Sequence, residues 1–286
     1  HPEYFQDLLS AISCNVNKKE LSESFQNFLS KKAFVFGRKV DIVFNMDFFN
    51  NFKFRNNIKK PAFFNKADVK VPYEIGRLQF LQKVMLHNFL EDNQNPGLNF
   101  DYLDEIITSE NNKIIWNSPM DVAIRMISLI FVKNFVNKMD YIIKPSVVTH
   151  LDSVISKDFE FVKMNYEKKG NVVGNHYFVE LASSLLFIAN YDYENKELDL
   201  ESTIDEISKE IELQFNKELT NFEGSSHYTA LMVEALLIIY LSLKSLKKEN
   251  ELYKKIREVL IVNNYFIKLI TNKGELSQIG DNDSGR

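Results

Sequence analysis

Only nine glycines and six prolines interrupt the 286 residues of this chain, and over most of its length apolar residues recur three and four positions apart. A chain with so few breakers and a period near 3.6 folds as amphipathic helices that bury their apolar stripes against one another. The spacing predicts helices over about 3–13, 19–30, 73–91, 99–109, 120–138, 145–166, 174–190, 200–218, 226–246 and 249–271. Consecutive helices joined by brief connections pack as antiparallel hairpins. A long succession of them predicts an all-α fold, an incomplete (α/α) toroid of antiparallel helical hairpins.

Two stretches depart from this pattern. Between Lys31 and Val71, the runs Ala33-Phe34-Val35-Phe36 and Val40-Asp41-Ile42-Val43-Phe44 read as extended, and Asn50 to Lys66 is aromatic, basic and aperiodic. A short irregular or extended N-terminal arm is expected there. At the other end, Gly274 to Arg286 exchanges helical spacing for turn residues. It reads as the opening of a truncated β-rich domain, with no strand left for the segment from Leu276 to pair with. The expected organisation is therefore 1–66 as N-terminal helices and arm within the main domain, 67–273 as the helical domain, and 274–286 as the start of a C-terminal β domain.

Composition narrows the partners. A 45% hydrophobic content supplies a sizeable core, and a net charge of -4 with interspersed lysines, arginines and acids leaves no basic nucleic-acid footprint. Cys14 is the only cysteine, so a disulfide within the chain and a cysteine-based zinc site are excluded. The most apolar stretch, Ala235 to Leu243, contains Ser242 and runs into lysines, which reads as a buried helix and predicts no membrane span. The chain begins His1-Pro2 without a methionine, so its start says nothing about a leader.

Chemistry-bearing residues gather at predicted helix starts. Gly174-Asn175-His176-Tyr177 and Phe222-Glu223-Gly224-Ser225-Ser226-His227-Tyr228 each open a long apolar segment. Helix starts carry partial positive charge and unpaired N–H groups, which suits them to anions. From Asn175 onward, Phe178, Leu181, Ala182, Leu185 and Leu186 make one stripe, and His176, Glu180 and Ser183 or Ser184 a polar second one. Asn175 reads either as a simple N-cap before an exposed histidine held by Glu180, or as a carboxylate clamp beside a basic imidazole. Tyr228 reads either as a first-turn core aromatic or as a proton donor. Two further helix starts, Val71-Pro72-Tyr73-Glu74-Ile75-Gly76-Arg77 and Trp116-Asn117-Ser118-Pro119-Met120-Asp121-Val122-Ala123-Ile124-Arg125, place an acid and an arginine three or four apart. Glu74–Arg77 and Asp121–Arg125 read as helix ion pairs or as guanidinium groups that grip a ligand carboxylate or sulfate. Trp116, the sole tryptophan, reads equally as core or as a sugar-stacking platform. Asp281-Asn282-Asp283 offers clustered oxygens, a weak metal signal on spacing alone.

These segments, in this order and closing on Gly280-Asp281-Asn282-Asp283-Ser284-Gly285-Arg286, together resemble the heparinase II/III-like polysaccharide lyases over roughly residues 70 to 286. The resemblance implies an (α/α) toroid followed by a C-terminal β-sandwich, with the active-site cleft between them. It implies β-elimination on a uronate-containing, possibly sulfated, glycan of a bacterial polysaccharide. Asn175 would neutralise the uronate carboxylate, His176 would act as base or orienter, and Tyr228 would move a proton. Arg77, Arg125, Glu223, Trp116 and Glu74 would bind substrate. No cofactor is expected in this chain, although family members sometimes draw a metal from the β domain, and a periplasmic or secreted location is favoured. Two readings of other classes stand beside this one. The first is a non-catalytic glycan-binding or surface-polysaccharide assembly protein. The second is a glycoside hydrolase, for which Glu74, Glu180 and Glu223 are the available carboxylates.

Overall fold

Helix starts here are written in side-chain oxygens. Asn17, Asn99, Ser118, Ser225 and Asn250 each precede a helix and accept the backbone N–H three residues on, the bond that satisfies an otherwise orphaned donor. Pro119 follows Ser118 at the first helical position, as its missing N–H allows. A computed structural model describes residues 5, 8–9, 16–55, 66–91, 98–138, 144–168, 174–272 and 275–281. Most of the helix expected over 3–13, much of the arm over 50–66 and the residues after Asp281 lie outside that set. The chain divides into two compact units that meet in sequence between Phe161 and Val162.

In the first unit, helix Lys18–Leu29 leads into an antiparallel hairpin of strands Lys32–Val35 and Arg38–Asp41. The expected extended runs thus pair with each other. Their connection is Phe36-Gly37, both at positive φ (48° and 73°), the two-residue turn whose twist matches paired strands. A second, two-residue pairing joins Met46–Asp47 to Phe52–Lys53. Here Asp47 is fully buried and accepts the N–H groups of Phe49, Asn50 and Asp68, stapling the two ends of the arm. Helices Lys70–Gly76, Phe80–Leu90, Phe100–Ile107 and Pro119–Val136 follow, with a 3₁₀ segment at Glu110–Asn117. Helix Phe80–Leu90 packs against Lys18–Leu29 and Pro119–Val136, around Leu81, Val84, Met85, Leu103, Ile115 and Met126.

The helix expected as one piece over 73–91 is two. Leu78 breaks it at φ +57° while its side chain is completely buried. A left-handed leucine costs about 1–2 kcal/mol, and burying its side chain returns about as much. Pro72 sits at the third position of the shorter piece, Lys70–Gly76. Gly76, just before the break, lies against the 3₁₀ segment so closely that a Cβ there would stand 2.7 Å from Asn112 Oδ1.

The second unit holds the end of helix Pro145–Met164 and helices Asn175–Asn190, Lys196–Gln214, Ser226–Ser245 and Glu251–Ile270. Asn175–Asn190 is its centre, packed on both Lys196–Gln214 and Ser226–Ser245. The predicted stripe Phe178, Leu181, Ala182, Leu185 and Leu186 is buried in full. Ser226–Ser245 is long and apolar enough to cross a bilayer, but here it packs between Asn175–Asn190 and Glu251–Ile270. The tail does find a strand partner: Glu275–Leu276 pairs antiparallel with Thr271–Asn272, directly after the last helix.

The expected helix ion pair Asp121–Arg125 does not form, because both residues look outward from their own helix for partners. Asp121 bonds Arg77 Nε at 2.5 Å, so Arg77 is clamped between it and Glu74. Arg125 turns to Asp158, which accepts Nε at 2.8 Å and a second bond from Nη2. Asp158 has no exposed surface, and burial drives its carboxyl pKa upward while Arg125 opposes the shift. A buried pair of this kind is fragile to the loss of one partner. Arg125→Ala is expected to cost about 3–5 kcal/mol in urea denaturation, and Arg125→Met with Asp158→Leu to recover most of it.

Candidate functional site

The proposed site residues fall into two groups. Asn175, His176, Glu223 and Tyr228 lie in the second unit, and Glu74, Arg77, Trp116 and Arg125 in the first.

In the second unit, helix Asn175–Asn190 begins after Gly174, which has extended backbone and provides no side-chain cap. Asn175 is therefore the first helical residue and not the N-cap, and its buried amide is free of capping duty. Asn175 Nδ2 donates to Glu223 Oε1 at 3.0 Å, joining two segments 48 residues apart. Burial raises the Glu223 carboxyl pKa, and Asp281 adds to the rise, while the Asn175 bond and His176 pull the other way. Three groups, Asn175, His176 and Asp281, thus act on the Glu223 carboxyl. Asp281 arrives because the tail is tied to the neighbouring helix start. Ser226 N–H donates to Ile279 O at 2.9 Å, and Ser225 Oγ donates to Asp281 O at 2.5 Å. Gly280 makes this approach at φ +70°, where a Cβ would come within 3.2 Å of Ser225 Cα.

The two helix starts are consequently unequal as anion hosts. That of Ser226–Ser245 has its first N–H taken by Ile279 and its third, on Tyr228, by Ser225 Oγ. That of Asn175–Asn190 has no side-chain cap. Tyr228 stands at the third position of the capped helix, half-buried. His227 beside it is buried, with Nδ1 bonded to no described group.

His176 is not held by Glu180. Its Nδ1 bonds the carboxylate of Glu167, which makes Nδ1 the protonated nitrogen, because a carboxylate only accepts. Glu167 comes from a strap, Tyr166-Glu167-Lys168, laid along the polar stripe of the helix. Tyr166 Oη donates to Ser184 Oγ at 2.9 Å, and Glu167 N–H donates to Glu180 Oε2 at 2.8 Å. Lys168 pairs with Glu206, whose other bonds come from Lys209 and Tyr177 Oη. Those lysines hold Glu206 down to about 2. Glu180 itself has no exposed surface, and burial pushes it up to about 8; the Glu167 N–H bond opposes the rise and the Glu167 charge adds to it. The Glu167 bonds to His176 and to Glu180 Oε2 are contacts of the candidate site that the sequence spacing missed, since a non-helical strap leaves no periodic signal.

In the first unit, Glu74, Arg77 and Asp121 form one ionic cluster, and Arg125 with Asp158 another. Both guanidinium groups grip internal carboxylates. Trp116 is half-buried, with Phe161 against it at 4.6 Å between ring centres and the Arg125 guanidinium over its ring at 5.5 Å. Neither reading of Trp116 excludes the other, because this packed ring also lines a cavity of about 520 Å³.

No protein-family profile and no curated protein matches this sequence. Solved structures do. Heparan sulfate lyase HepC from Pedobacter heparinus is similar with a TM-score of 0.50 at 15% identity, over 88% of this chain and 43% of that chain. A heparinase III, the BT4657 gene product, is similar with a TM-score of 0.47 at 13% identity, over 88% of this chain and 41% of that chain. The likeness to HepC shows the fold class, an incomplete (α/α) toroid of antiparallel helical hairpins, as the helical spacing predicts. The chain spans less than half the length of either structure.

Two outcomes follow from the second-unit geometry. The Glu180 carboxyl rises from 4.5 in the unfolded chain to about 8 in the fold. Between these values the native state holds a proton that the unfolded state has released, so stability falls as pH rises through that window. Glu180→Gln keeps an acceptor for Glu167 N–H and removes the titration. Its urea midpoint should change less than that of the wild type from about pH 5 to about pH 8. Gly280→Ala is expected to lose about 1–2 kcal/mol and to release the tail, read as faster amide exchange at Ser226 N–H.

Proposed function

We propose that this chain is the helical part of a polysaccharide lyase that cleaves a uronate-containing glycan by β-elimination. The observation that carries the reading is the Asn175 amide, oriented by Glu223 at an uncapped helix start and followed by an imidazole oriented by Glu167. The fold likeness to a heparan sulfate lyase supports it.

The proton at C5 of a uronate is weakly acidic while the neighbouring carboxylate keeps its charge. A second N–H on the Asn175 amide and the helix start would each draw charge from that carboxylate, with Glu223 orienting the amide through its bond to Nδ2. Donors fixed in advance cost no reorganisation as the enolate develops. With Nδ1 committed to Glu167, His176 would take the C5 proton through Nε2, and the phenol of Tyr228 would give a proton to the departing C4 oxygen. Loss of that oxygen leaves a conjugated double bond. A C-terminal β domain would complete the cleft.

The test is the appearance of that double bond when a panel of uronate polymers is treated with this chain and with the whole protein that carries it. Saturated products would assign a hydrolase, and binding without products a glycan-binding protein. In whichever form turns over, Tyr228→Phe is expected to lower turnover about 10²–10⁴-fold with binding retained. Asn175→Ala is expected to weaken both. Wild-type turnover in Tyr228→Phe would return the residue to a packing role.

A further inference from the structure

The arm that follows helix Lys18–Leu29 differs from the rest of the chain in its charge and in what it leaves in water. Residues 31–55 carry six basic groups, Lys31, Lys32, Arg38, Lys39, Lys53 and Arg55, against Asp41 and Asp47, in a chain whose net charge is -4. Both acids are occupied. Asp41 pairs with Lys32 at 3.2 Å, and the buried Asp47 accepts the N–H groups that staple the arm. Arg38, Lys39, Lys53 and Arg55 are exposed and form no ion pair among the described residues. Phenylalanine rings stand beside these charges. Phe34 is 59% exposed, Phe36 39% and Phe49 37%, and among the described residues Phe222 alone joins them as an exposed phenylalanine. The three make one patch. Phe34 is the cross-strand partner of Lys39, and Phe36 opens the turn two residues on. The Phe36 ring meets Phe49 at 6.2 Å, and the Arg38 guanidinium lies over Phe49 at 5.0 Å. Phe34 and Lys39 also border the polar side of helix Lys18–Leu29, where Glu23 faces Lys19 at 4.0 Å.

Lysine on an exposed strand keeps sheets from pairing edge to edge, but it gives no reason for phenylalanine to face water beside it. A phenylalanine ring has no polar atom and gains by leaving water altogether. A bilayer interface admits the ring while cations beside it stay among the headgroups. We propose that this arm docks on an anionic lipid surface, with Phe34, Phe36 and Phe49 at the boundary of headgroups and acyl chains and Arg38 and Lys39 on the lipid phosphates and carboxylates. A hydrated polyanion would answer the charge but offers the rings no apolar medium. Burial of apolar area and attraction to anionic headgroups add at such a surface, and the patch supplies both. The chain would lie on the membrane through this arm without spanning it. The assignment uses none of Asn175, His176 and Tyr228 and does not rest on the lyase reading.

The chain is mixed with vesicles of phosphatidylcholine alone, or of phosphatidylcholine and phosphatidylserine in equal parts, and the vesicles are floated through a density gradient. The expected result is flotation of the chain with the mixed vesicles only, reversed as salt is raised. Phe34→Ser/Phe36→Ser and Arg38→Ala/Lys39→Ala are each expected to weaken binding about tenfold or more. A urea transition like that of the wild type separates lost docking from lost folding. Tyr265→Ser/Leu269→Ser, which removes exposed apolar groups from the last helix instead, should leave flotation unchanged. Phe36→Trp provides a readout that keeps the arm intact: brominated acyl chains should quench the new indole, while emission from the wild type, whose sole tryptophan is Trp116, should not respond. Equal binding to both vesicles, binding to neither, full binding in the serine pair or in the alanine pair, an unquenched indole in Phe36→Trp, or a loss of flotation in Tyr265→Ser/Leu269→Ser would each overturn the assignment.

Discussion

A carboxyl group sealed from water must be met by a cation, be bonded by N–H donors or keep its proton, and in each unit of this protein one such group fixes the elements around it. In the first unit the group is Asp158, whose ionised form is held by the two-pronged grip of Arg125. That grip fixes helix Pro145–Met164 against Pro119–Val136 and sets the guanidinium plane on which Trp116 rests. A pair of this sort adds little net stability over an apolar equivalent, but it admits few alternative packings. Its contribution is to hold one arrangement of the two helices and of the indole between them.

In the second unit the group is Glu180, with no cation bonded to it among the described residues and a proton retained instead. Its acceptor oxygen holds the Glu167 backbone, and the Glu167 side chain then reaches His176 one turn further up the helix. A buried acid thus orients a surface imidazole through a segment with no helical structure of its own. The contrast between the two helix starts follows the same economy of donors. The start beside the tail spends its N–H groups within the protein, whereas the one that opens at Asn175 has no side-chain cap.

Most of the helices were legible in the sequence, because spacing of three and four reports burial directly, and Ser118-Pro119 and Ser225 reported starts that the structure keeps. The interruption at Leu78 was not legible, since leucine is a good helix former and tertiary packing overrode its preference. The Asp121–Arg125 pairing was misread for a related reason, whereas Glu74 and Arg77 do pair. The rule for residues three and four apart is local, and both Asp121 and Arg125 found better partners on other elements. Asp158 was legible in principle, as a lone acid on the apolar spacing of Leu151, Ile155 and Val162. At the candidate site, the gathering of Asn175 and Glu223 was foreshadowed by two helix-start signals. The roles of Glu167 and Asp281 depend on how aperiodic segments lie in space, and periodicity carries no information about that.

Gly76 and Asn112 have a consequence for the history of this sequence. The missing side chain at one position and the amide at the other occupy a single volume, with only 2.7 Å left where a Cβ would stand. Neither residue takes part in the proposed chemistry, yet neither is free to drift alone. Wherever this packing is inherited, a larger residue at 76 requires the side chain at 112 to shift or to shrink. The two positions form a coupled pair whose joint variation would trace the ancestry of the first unit independently of what the site does.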